Sequence, residues 1–233
     1  MERLIITLDG PAGSGKSTVA RMLAKALQLE FLDTGAMYRG ITAACLDRGI
    51  DPATQPQAVA ELARTSRLKF DWSADPPTLG IETDEGCRDL TGRLRDADVT
   101  VAVSDVAAMA AVRHVLVEAQ RHIGMNHRRM VSEGRDQGSV VFPDAAIKFY
   151  LDASPQVRAQ RRAEQLRQAG SPADALKVLE AIRHRDDRDF HRYNGPLRCT
   201  EDAIRIDTTQ MKVEQVVKQL VEHVQQHAPF GRD

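Results

Sequence analysis

Residues 10–17 read GPAGSGKS, so four residues separate Gly10 from Gly15, and Lys16 and Ser17 follow directly. That spacing matches G-x-x-x-x-G-K-[ST], a loop that holds phosphate. Its chemistry explains its composition. Glycines let the backbone turn so that successive N–H groups face one anion. A helix starting at Lys16 adds unpaired donors and a partial positive charge. Lys16 can reach β- and γ-phosphates, and the Ser17 hydroxyl can join a magnesium shell. Two arginine groups farther along point to anions as well. Arg158, Arg161 and Arg162 fall at i, i+3 and i+4, on one helix face, with no acid among them before Glu164. Such a same-sign cluster repels itself, and an anion site explains it better than a solvated face. Arg185, Asp189 and Arg192 fall at i, i+4 and i+7, with Arg188 beside them. They read as an intrahelical ladder, as arginines oriented by aspartates toward a ligand, or as both.

The elements that must position these residues can be read in order. Leu4, Ile5, Ile6 and Leu8 form the apolar run of a buried parallel strand. The helix from Lys16 continues through Val19, Ala20, Met22, Leu23, Ala26 and Leu27. A second strand, Phe31-Leu32-Asp33, ends in the polar turn Asp33-Thr34-Gly35, and a helix over 36–48 brings Tyr38 and Arg39 close to that turn. Ligands of α/β sheets bind at such strand ends, which favours Arg39 as a ligand residue. Asp51-Pro52 predicts the start of a further helix carrying Val59, Leu62 and Ala63. Alternation over 68–72 and 79–83, with Ala74-Asp75-Pro76-Pro77 between, predicts a hairpin in a separate small lobe, where Trp72 packs. One long helical pattern spans 98–121 and carries Ser104 and Arg113, each of which alone would read as a surface residue. Strands over 130–136 and 145–152 follow, then Ser154 as a cap and Pro155 at the first helical position. Gly170-Ser171-Pro172 breaks the chain before the helix with Leu176, Leu179 and Ile182. A last strand covers 203–207, and Val213, Val216, Val217, Leu220, Val221 and Val224 form a packing stripe on the final helix.

The 233 residues suffice for one large domain or a core with inserted lobes. A formal net charge of −1 gives no reason to expect nucleic acid or an anionic membrane as partner. No apolar run reaches membrane-spanning length, and no signal-peptide pattern opens the sequence. Cys45, Cys87 and Cys199 are scattered and read as reduced packing residues of a cytoplasmic protein. Short apolar strands alternating with helices predict an α/β sheet with helices on both faces.

Five strings narrow this further: GPAGSGKST at 10–18, LDTGAMYR at 32–39, GRDQGSVVFPDA at 134–145, YLDASPQVRAQRR at 150–162 and RDDRD at 185–189. Together they resemble the bacterial cytidylate kinases, nucleoside monophosphate kinases of the P-loop class, over nearly the whole chain. The resemblance implies a five-stranded parallel sheet with helices on both faces, an inserted monophosphate-binding lobe and a short lid. The core would then comprise 1–37, 105–154 and 173–233, the lobe 38–104 and the lid 155–172. It implies transfer of the ATP γ-phosphoryl group to CMP or dCMP with Mg2+, in a cytoplasmic monomer without nucleic-acid or membrane partners. Gly10, Pro11, Ala12, Gly13, Ser14, Gly15, Lys16, Ser17 and Thr18 would bind ATP, and Ser17 the metal. Thr34, Arg39, Ser104, Arg113, Arg135, Asp136, Arg185, Asp189 and Arg192 would bind CMP. Among these, Arg39, Arg135 and Arg185 would hold the acceptor phosphate, Ser104, Arg113 and Asp136 would read cytosine, and Asp189 and Arg192 would meet the ribose. Lys16, Arg135, Arg158, Arg162 and Arg185 would act on the moving phosphoryl group, with Arg161 beside them in the lid. Glu133 stands where many relatives carry aspartate. A kinase for another monophosphate or a small metabolite and a nucleotide-binding switch are the rival readings, and the arginine clusters argue against the switch.

Overall fold

The computed structural model describes residues 3–84, 86–168, 170 and 172–227. The elements run β1 (Leu4–Asp9), α1 (Lys16–Leu27), β2 (Glu30–Asp33), α2 (Thr34–Asp47), α3 (Pro56–Thr65), β3 (Arg67–Asp71), β4 (Thr78–Thr83), β5 (Gly86–Asp89), α4 (Ala97–Ala108) and α5 (Ala110–Asn126). Then follow β6 (Arg129–Glu133), a π-turn (Gln137–Val141), β7 (Ile147–Asp152), α6 (Pro155–Gln168), α7 (Ala175–His191), β8 (Ile204–Asp207) and α8 (Val213–His227). The five-stranded sheet has the order β2-β6-β1-β7-β8. Its pairings β1·β6, β1·β7 and β7·β8 are parallel. The chain divides into two compact units, Met1–Glu30 with Arg128–Asp233, and Phe31–His127.

In the first unit every residue of β1 is buried, the polar Thr7 and Asp9 included, as in a strand covered on both faces. Val19, Ala20, Leu23 and Leu27 of α1 and Val216, Val217, Leu220 and Val224 of α8 are buried too, where the two helices pack together. Ser154 caps α6 by accepting the Val157 N–H at 3.3 Å, with Pro155 as the first helical residue. Of the lid segment and its glycine-proline break, Ala169 and Ser171 lie outside the described residues.

In the second unit, Asp33 accepts the Ala36 N–H at 3.0 Å, so α2 begins at Thr34, earlier than the apolar pattern indicates. Further expectations are corrected here. α3 starts at Pro56 and not after Pro52, because 51–54 form a turn in which the Asp51 carboxylate binds Ala53 N and Thr54 Oγ1. The single helix over 98–121 is two helices, bent by 92° at Met109. Both bury apolar faces (Val99, Val103 and Val106, then Val112 and Leu116), and no glycine or proline marks the break, so the pattern runs through it. The hairpin gains a third strand, β5, whose four residues are all exposed and carry no alternation. Trp72 packs in tilted contact with Phe70 and His127, with ring centroids 5.3 and 4.4 Å away, in keeping with its packing role. Cys45 is buried, whereas Cys87 and Cys199 are exposed and do not serve as packing residues. No single helix among the described residues is long and apolar enough to cross a membrane.

Candidate active site

The loop after β1 is built by close approach. Gly10 has φ +149°, and a Cβ there would meet the Leu151 carbonyl oxygen at 2.0 Å, so only glycine passes the end of β7. Gly15, with φ +88°, caps α1 in the left-handed region. Lys16 turns back over the loop, with Nζ donating to the Pro11 carbonyl at 2.8 Å and lying 3.4 Å from Ser14 Oγ. Burial pushes the Lys16 ammonium down to about 7, the charge of Arg135 adds to this, and Glu133 opposes it. The Ser17 hydroxyl donates to Glu133 Oε1 at 2.7 Å, which joins the start of α1 to the end of β6. A hydroxyl and a carboxylate at this separation are hard oxygen donors suited to magnesium, which takes few protein ligands and completes its shell with water and phosphate.

The bend after β6 carries Arg135 and Asp136. Arg135 Nε donates to Asp189 Oδ2 at 2.8 Å, and its Nη1 to the Gly134 carbonyl at 3.2 Å. Burial alone would raise the Asp189 carboxyl, but Arg135 and Arg185 beside it hold it below its ordinary value. Asp136 is buried, with Oδ1 3.7 Å from Arg192 Nη2. Arg192 also donates to the Gly195 carbonyl. The ladder on α7 is thus a network reaching the bend, in which Asp189 pairs with an arginine from another element.

The lid arginines do not stand as one unpaired face. Arg158 is 4% exposed. Its Nη1 donates to Asp186 Oδ2 at 2.6 Å and to the Ala12 carbonyl at 3.0 Å, and its Nε to the Ala153 carbonyl at 2.8 Å. Arg161 donates to the Thr208 carbonyl at 2.7 Å. Arg162 is half-buried and held by neither Asp186 nor Thr208. The acid that the local sequence lacks comes from α7. Burial raises the Asp186 carboxyl, and Arg158 opposes that shift.

In the second unit, Thr34 is buried at the start of α2. Arg39 Nη1 lies 3.3 Å from both the Leu94 carbonyl and Thr100 Oγ1. Arg113, 4% exposed on α5, donates to the Tyr38 hydroxyl at 3.3 Å, with its guanidinium 5.9 Å from that ring's centroid. Ser104 is half-buried on α4.

Four site neighbours escape a reading of the sequence: Glu133 as the partner of Ser17, Asp186, Thr208 and Asp9. Asp9 is 4% exposed and accepts the N–H groups of Gln137 and Gly138 at 2.9 and 2.7 Å. Burial raises its carboxyl to about 7 against those two bonds. Its one sequence signal is a carboxylate closing a strand whose other residues are apolar but for Thr7.

Comparison with known proteins bears on the reaction. The family model described as cytidylate kinase matches residues 6–226. A cytidylate kinase of Mycolicibacterium paratuberculosis is 42% identical over 229 residues, 98% of each chain. One of Clostridioides difficile is 39% identical over 224 residues, 96% of this chain and 99% of that one. An uncharacterised protein of Eubacterium ventriosum, known from a crystal structure, shares the fold, with a TM-score of 0.50 at 12% identity, over 96% of this chain and 99% of its own.

Proposed function

Because the chain belongs to the cytidylate kinase family, we propose that it transfers the γ-phosphoryl group of ATP to CMP or dCMP, giving ADP and CDP or dCDP. The observation that carries this reading is the pairing of a complete phosphate loop with a buried Lys16 folded onto it. The loop from Gly10 to Thr18 holds the ATP phosphates through its backbone N–H groups. Lys16 releases Pro11 and follows the charge on the moving group. Ser17 and Glu133 hold Mg2+ brought with ATP; when bound, the ion neutralises phosphate charge.

Transfer between phosphates asks the protein for positioning and positive charge and for little covalent work. An acceptor that is already a phosphate dianion needs no general base. Arg39, Arg135 and Arg185 take the acceptor phosphate, since an arginine fork binds phosphate oxygens in pairs. Arg158 and Arg162 act on the transferring group from the lid, residues 155–172, which excludes water. Thr34, Asp189 and Arg192 complete the CMP contacts, and residues 38–104 form the monophosphate lobe.

Base choice follows from hydrogen-bond polarity. An ionised carboxylate only accepts, so Asp136 suits the cytosine amino group and repels the uracil O4. Arg113 only donates and suits the acceptor edge of cytosine, while Ser104 fixes orientation. The enzyme works as a cytoplasmic monomer. A coupled assay of ADP release with each ribonucleoside monophosphate, ATP and magnesium tests the reading. CMP should be used in strong preference to UMP, by up to roughly 10⁴-fold in kcat/KM. Comparable use of AMP, GMP or UMP would sink it.

A further inference from the structure

Asp9 lies outside the loop motif, yet its carboxylate ties two parts of the site together. It ends β1, one residue before Gly10. Its two oxygens receive the two N–H groups that directly follow Asp136, those of Gln137 and Gly138, at 2.9 and 2.7 Å. Those residues open the π-turn, whose backbone closes through Val141 N to the Asp136 carbonyl at 3.2 Å and Phe142 N to the Gln137 carbonyl at 2.7 Å. Single π-turns are rare and cluster at functional sites. The Gln137 side chain is fixed as well, accepting the Ser132 hydroxyl at 2.8 Å. The turn is pressed against the sheet: a Cβ on Gly138 would meet Thr7 Oγ1 at 3.0 Å and Lys148 Cδ at 3.1 Å. Asp136 itself sits at φ −142°, ψ 26°, outside any regular element. Its backbone direction is therefore set by the residues after it, and those are held by Asp9.

We propose that Asp9 is a positioning residue for base recognition, whose carboxylate fixes the 136–138 backbone so that Asp136 meets the acceptor base. This rests on the reading of Asp136 as the residue that accepts from the cytosine amino group.

The test is a double-mutant cycle. Asp9→Asn keeps the size of the side chain but turns an amide donor toward one of the two N–H groups. We expect the CMP-over-UMP ratio of kcat/KM to fall at least roughly tenfold, the scale of one lost charged hydrogen bond. The KM for ATP should stay within about threefold, since the loop glycines and Lys16 are untouched. Asp136→Asn should lower the ratio more, and adding Asp9→Asn to it should lower it no further, because one residue acts through the other. If Asp136→Asn alone leaves the ratio unchanged, the reading of Asp136 fails. If Asp136→Asn lowers the ratio while Asp9→Asn does not, or the two losses add, only the proposal for Asp9 fails. Should the asparagine variant not fold, Asp9→Ser, which leaves room for a bridging water, is measured in the same way. Loss of the fold in both variants would assign Asp9 to stability alone and would equally overturn the proposal.

Discussion

Lys16 is a cation held where a cation is costly. It is 4% exposed, its ordinary value of 10.5 falls to about 7, and burial is the largest cause. The sign follows from proton linkage. Between about 7 and 10.5 the unfolded chain binds more protons than the folded one, so this group's contribution to stability rises with pH across that window. At and below pH 7 its full cost is present. Lys16→Met should therefore lower turnover by roughly 10²–10³, as when one preorganised electrostatic group is lost. The same variant should raise the unfolding midpoint of the nucleotide-free protein at pH 7, by roughly 2–4 °C for each kcal/mol relieved. That gain should shrink as the pH rises toward 10. Thermal scans of both proteins at several pH values check this, and a lower midpoint for the variant at pH 7 would contradict it. The position of Lys16 was legible because its motif is local, eight residues in a row. The partnership of Ser17 with Glu133 was not, because 116 residues separate them and neither residue's neighbourhood announces the other.

Among the elements, α6 and α7 are joined by the Arg158–Asp186 pair, and the same guanidinium reaches the phosphate loop at Ala12. Removing one partner of a buried pair leaves the other charge uncompensated, at a cost of roughly 3–5 kcal/mol. Arg158→Ala should thus lose both stability and turnover in urea denaturation and kinetic assays. Adding Asp186→Asn should restore part of the stability and little of the turnover. Arg162→Ala should keep the stability and lose turnover more than CMP affinity. Equal loss of stability in the Arg158 and Arg162 variants would show that the pair does not separate them. The start of α6 was legible from Ser154-Pro155, a local signal. The acid facing Arg158 was not, since it arrives from the next helix. The break at Met109 was hidden for another reason: periodicity reports which residues are buried, not the direction in which the helix axis runs.

For the whole molecule, alternating apolar runs and helices disclosed the α/β class, because parallel strands buried on both faces leave that trace in any order of sheet pairing. The order β2-β6-β1-β7-β8 was not disclosed, since it depends on partners distant in sequence. Charge gives a prediction at this scale. The 32 basic and 33 acidic residues nearly cancel, with a sequence pI near 6.7. The molecule therefore lacks the excess of one sign that steers ligands over long range. The cations proposed to meet phosphate include Lys16 and Arg158, each 4% exposed. Buried charges are screened by salt much less than exposed ones. The two facts lead to the same outcome: kcat/KM for CMP should change by no more than about fivefold between 50 and 200 mM KCl, whereas a protein neutralising 6–10 phosphates of a duplex loses roughly 10³–10⁵ in affinity over that range. Duplex DNA added at 50 mM salt should leave the rate unchanged. Initial rates across the salt series, with and without DNA, decide the matter. A steep fall with salt, or inhibition by DNA, would mean that a basic surface outside the phosphate loop and the arginine network recruits anions, and that formal neutrality conceals a strongly uneven field.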